Sequence, residues 1–184
     1  MRGGGGGQVL DSSAERSADA VKAKVREAFD ASPYPGNENL VVDQSGHDPE
    51  GMAIASAFRG KGWEDVSVEM LRSHADALPL FTPAAFRYYL PAYMIGAIDH
   101  YYDLDVALDG VLFNLTPPKE RSGWEWDFFW ARAQQFEESE REAIRSFLEL
   151  MDRYEHADWA SEGMEQPGDR VGPALGFWAE RSRP

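Results

Sequence analysis

Apolar positions recur at helical spacing along most of the chain, with Pro, Gly and Asn breaks between the runs. Ser12 or Ser13 is placed to cap a first helix with the stripe Ala18, Val21, Val25, Ala28 and Phe29. Pro33 to Asn39 ends it, and Leu40 to Val42 is a short β-like run. Asp48-Pro49-Glu50 reads as a helix start, with Asp as cap and Pro at the first helical position. That helix runs to about Phe58 and stops at Gly60, which leaves Trp63 in a loop. Ser67 is placed to cap the next helix, with Val68, Leu71, Ala75 and Leu78 inward and Pro79 as its end.

The strongest segment opens at Thr82-Pro83. Phe86, Tyr89, Leu90, Tyr93, Met94, Ala97 and Tyr101 fall on one face, and Tyr88, Ala92 and Ile95 make much of the other face uncharged too. A helix apolar on most sides is buried on most sides, so this one is expected to be the hub of the fold. Pro91 lies inside it and predicts a kink. Three more runs follow. Asp103 to Phe113 turns Leu104, Leu108, Val111 and Leu112 inward. Trp124 to Phe136 carries Trp126, Phe129, Trp130 and Ala133 on one stripe. Ser139, with Glu142 three residues on, is placed to cap a last long helix through Ile144, Phe147, Leu148, Met151 and Tyr154.

The expected fold is all-α, a compact bundle of six to seven helices around a kinked central helix, with at most one short strand. Residues 1–11 form a Gly-rich leader and residues 12–156 a single helical domain. Residues 157–184 form a tail in which Ala174 to Arg181 is a short helix docking Leu175 and Trp178.

Composition narrows the function classes. With 32 acidic against 18 basic residues, the formal net charge is -14. That excess opposes nucleic-acid binding and contact with anionic membranes, and favours a basic protein partner. The mean hydropathy of -0.50 and an aromatic content of 12% imply a core in which bulky rings supply much of the buried area. The absence of cysteine removes disulfides, thiolate metal sites and cysteine nucleophiles. No apolar run reaches the roughly 18 residues of a membrane span, and no signal-peptide pattern is seen, so a cytoplasmic location is expected.

The strings Phe58-Arg59-Gly60-Lys61-Gly62-Trp63, Phe86-Arg87-Tyr88-Tyr89-Leu90-Pro91-Ala92-Tyr93 and Leu112-Phe113-Asn114-Leu115-Thr116-Pro117-Pro118 resemble a bacterial family catalogued as domain of unknown function 6714. The resemblance covers about residues 20 to 155. It implies a small, mainly helical bacterial protein, and it brings no catalytic residues with it.

The chemistry-bearing residues point the same way. His47, His74, His100 and His156 show no metal-ligand spacing, and Asp152 with His156 reads as an i,i+4 ion pair, so no metal and no cofactor is expected. Gly60-Lys61-Gly62 is too short for a phosphate loop. The acids Glu137, Glu138, Glu140 and Glu142 gather where a helix begins, which their charge alone explains.

Arg87, one turn before Pro91, is either a tie to a carboxylate or ring, or an anion anchor. Tyr88 and Tyr93 are core ties or ligand contacts. Trp124 and Phe128 lie off the packed stripe and are candidate anchors for a protein partner. The leading reading is a non-catalytic interaction domain, immunity-like or regulatory, that binds a basic protein. The alternatives are a small enzyme with a pocket around Arg87 and the tyrosines, and a structural homo-oligomer subunit.

Overall fold

The computed structural model describes residues 12–180 except 44, 104 and 165–167, and the side chains of Ser12 and of residues 105–107 are also outside the description. The Gly-rich leader, Leu104, Pro167 and Arg181 therefore lie outside the described residues. Within them the fold is all-α, with eight helices and no sheet.

The first helix, α1 (Ser12–Phe29), lays Val21, Val25 and Phe29 into the core. Helix α2 (Pro49–Phe58) starts as the sequence dictates. The Asp48 carboxylate accepts the N–H groups of Glu50 and Gly51, and a side chain at Gly51 would place its Cβ 2.6 Å from that carboxylate. Trp63 is not in an open loop, because residues Trp63–Asp65 form a 3₁₀ turn that buries the indole. Helix α3 (Val68–Ser73) is shorter than expected. Ser67 caps it, but it ends at His74, and Pro79 falls inside a second 3₁₀ turn, Leu78–Leu80. The β-like run survives as a single antiparallel bridge between Val41 and Phe81.

Helix α4 (Pro83–Asp99) is the hub. Thr82 caps it through Oγ1, and the same hydroxyl donates to the Asn39 carbonyl at 2.8 Å. The helix continues unbroken through Pro91. It packs against α1, α3, both 3₁₀ turns, α5 (Asp105–Leu115) and α6 (Trp124–Ala133). Gly110 on α5 permits one close approach, since a Cβ there would sit 3.0 Å from the Ala75 carbonyl.

Helix α7 (Glu138–Ser161) runs against α1 and carries α8 (Gly172–Ala179) on another side. Its cap differs from the expected one. Glu137, not Ser139, is the N-cap, and Glu140 returns its carboxylate to the Glu137 N–H at 2.8 Å. A carboxylate does both jobs of the capping box here, and Ser139 is left exposed in the first turn. Helix α8 sends Ala174, Phe177 and Trp178 into the core, and the Trp178 indole donates to the Leu115 carbonyl at 2.8 Å. Leu175 is half-buried.

Candidate functional site

The sequence-predicted site residues divide into two sets. Arg87 is consumed by an internal pair. Its Nε lies 3.0 and 2.9 Å from the two oxygens of Glu140, and its Nη2 lies 3.5 Å from Glu137. Glu140 is buried and also accepts from the Ser32 hydroxyl at 2.7 Å. One carboxylate thus ties α4, the end of α1 and the start of α7. Arg87 lines neither of the two clefts described below.

The tyrosines of α4 are also engaged internally. Tyr93 is buried and donates to the His74 carbonyl at 2.7 Å, which fixes the end of α3. Tyr89 donates to the carbonyls of Phe58 and Lys61, both at 3.0 Å, and closes the loop after α2. Tyr88 is half-buried, with its ring edge-on to Tyr34 and Tyr89 and its hydroxyl bonded to the backbone of Trp63. Burial pushes all three phenols above the ordinary value, so they stay neutral, Tyr89 and Tyr93 as donors to carbonyls and Tyr88 as an acceptor from the Trp63 backbone.

Trp124 and Phe128 behave differently. They sit one turn apart on the same face of α6, with 76% and 39% of their surface exposed. Beneath Phe128 lies Arg132, which the sequence reading passed over. Its guanidinium carbon is 3.5 Å from the Phe128 ring centroid, and the residue is only 3% exposed. Arg132 has no carboxylate partner among the described residues. Its Nη2 donates to the carbonyls of Pro79 and Phe81 at 2.7 and 2.9 Å, and its Nη1 donates to the Phe128 carbonyl at 3.3 Å. Burial lowers its pKa to about 10, so it remains charged at neutral pH.

Phe128 also forms one wall of a cleft of 270 Å³, completed by Val41, Val42, Gly51, Pro79 and Leu80. Asp43 and Asp48 stand at this cleft, and Val42 is 60% exposed. A second cleft of 210 Å³ lies between α1, α3 and α4, with Trp63, Leu71, Ala92 and Ile95 inside and Arg26, Glu64, Asp99 and His100 around it. Both fall below the roughly 300–1,000 Å³ of a typical small-molecule site.

Metal chemistry finds no gathering point among the described residues, where no three His, Asp or Glu side chains converge. Asp152 and His156 form the i,i+4 contact expected of them, with Nδ1 3.4 Å from Oδ1. No helix among the described residues is long and apolar enough to cross a membrane.

The family match covers residues 17–182 and is to DUF6714, a family of unknown function. The chain belongs to this family. The match runs from α1 through α8, so the family's extent includes the last helix, beyond the stretch over which the sequence strings were recognised. No curated protein and no solved structure matches the chain significantly.

Proposed function

We propose that this DUF6714 member is a non-catalytic interaction domain that binds a basic protein, in an immunity-like or regulatory role. The observation that carries the reading is the outer face of α6. Trp124 is 76% exposed, and Phe128 one turn on is 39% exposed and walls an apolar cleft, on a chain of net charge -14. Exposed aromatic anchors near Asp43 and Asp48, which meet no Lys or Arg among the described residues, suit a partner that brings apolar side chains and positive charge. The enzyme alternative loses its centre, because the Arg87 charge is met by Glu140 and the hydroxyls of Tyr88 and Tyr93 hold backbone groups.

Affinity capture from the native host tests the reading, with the wild-type protein beside a Trp124→Ala, Phe128→Ala double variant. The wild type is expected to retain a basic protein that the variant loses. Equal recovery by both would remove the α6 face from the account.

A further inference from the structure

The cleft beneath Phe128 is walled by parts of the chain far apart in sequence. Val41 and Val42 come from the segment after α1, Gly51 from α2, Pro79 and Leu80 from the turn before α4, and Phe128 from α6. Backbone bonds fix the first and third of these walls to each other. The Val42 N–H donates to the Leu80 carbonyl at 2.9 Å, and the Thr82 N–H donates to the Leu40 carbonyl at 3.0 Å.

Arg132 fixes the last wall. A single planar guanidinium bonds the Pro79 and Phe81 carbonyls and places its central carbon 3.5 Å from the Phe128 ring centroid. A lysine has neither the fork nor the flat face needed to do both. A buried cation met by carbonyl dipoles and rings rather than a carboxylate is costly, and here it lies against Phe128, a wall of the cleft.

The ionisable side chains that line the cleft itself are acids, Asp43 and Asp48, while the Arg132 charge lies behind the Phe128 ring. The Ser45 hydroxyl, and then its N–H at 2.8 Å, bond the Asp43 carboxyl and hold it below the ordinary range. Asp48 caps α2 with both oxygens. No Lys or Arg among the described residues forms an ion pair with Asp43 or Asp48.

We infer that this cleft receives one apolar side chain from a Lys- or Arg-flanked segment of the partner protein, with Arg132 as the positioning residue that keeps the cleft open. The inference rests on the partner reading above and specifies where and how that partner docks. The volume suits a side chain, the walls are apolar, and the acids at the mouth select the flanking charge.

The probe is a short amidated peptide with leucine between lysine pairs, compared with versions carrying serine in the centre or glutamates on the flanks. Binding is read from amide chemical shifts. The leucine peptide is expected to shift Val42, Leu80 and Phe128, with both control peptides about tenfold weaker. Val42→Lys, at an exposed position, should abolish the shifts, and Arg132→Lys should weaken them about tenfold while the rest of the spectrum stays folded. Equal binding of the serine peptide, or shifts mapping elsewhere, overturns the inference.

Self-association of the protein that Val42→Lys abolishes also overturns it, by making the occupant a second copy. If Trp124→Ala, Phe128→Ala loses the captured protein but Val42→Lys and Arg132→Lys keep it, the cleft inference falls and the partner reading stands. If the double variant keeps the captured protein, the partner reading itself falls.

Discussion

Arg87 and Arg132 are two sheltered cations with opposite solutions. Arg87 meets a buried carboxylate, and Arg132 meets three carbonyls and a ring. Removing one partner of a buried pair leaves the other charge uncompensated, which costs about 3–5 kcal/mol. Arg87→Ala is therefore expected to destabilise the fold by about 3 kcal/mol in denaturant unfolding, because Glu140 keeps only Ser32 and its own cap. It should leave partner binding intact once the protein is folded.

The buried phenols make a second prediction at this scale. Tyr89, Tyr93 and Tyr101 are held neutral chiefly by burial, well above their ordinary value of 10.0. The stability this contributes is fully present below pH 10 and is lost as pH rises beyond it, since the unfolded chain releases those protons first. In an alkaline titration most phenolate absorbance should appear with the unfolding transition. A smooth titration centred on pH 10 with the fold intact would contradict the burial.

The elements were legible where a cap, a stripe and a breaker agreed. Asp48-Pro49 and Thr82-Pro83 start helices as their chemistry requires, and the two-sided apolar pattern of α4 does mark the hub. The misses have physical causes. Ser139 has a capping side chain, but the Glu137–Glu140 pair satisfies the same N–H groups and ties in Arg87 as well. Pro79 was read as a stop, whereas a 3₁₀ turn accommodates it.

Glu140 was legible as an acid at a helix start, but its burial was not, because a wheel shows one helix and not the α4 surface facing it. Arg132 lacked any signal, since its partners are main-chain carbonyls that every sequence has.

Helix α8 is the element whose weight is easiest to test. Phe177 and Trp178 are buried, Trp178 stacks edge-on against Phe136, and Arg141 lies over both rings. Trp178→Ala is expected to cost about 3–5 kcal/mol in thermal or chemical unfolding, as large-to-small core changes do. A loss below about 1 kcal/mol would mean that α8 is only loosely attached.

At the scale of the whole molecule, charge and exposed rings point outward together. In the proposed reading, the net charge of -14 would raise encounter rates with a basic partner, and the exposed Trp124 and Phe128 would give that encounter somewhere to settle. Membership in DUF6714 supplies the extent of the fold and no activity, so the binding face must be argued from this chain's own residues.

The most direct measurement is the affinity of the captured partner for the wild type and for Trp124→Ala, Phe128→Ala, each at low and high salt. The wild type should bind more weakly as salt rises, and the double variant should bind at least tenfold more weakly at both salts. Equal affinities for the two proteins, with or without salt dependence, would contradict the claim that the α6 face holds the partner.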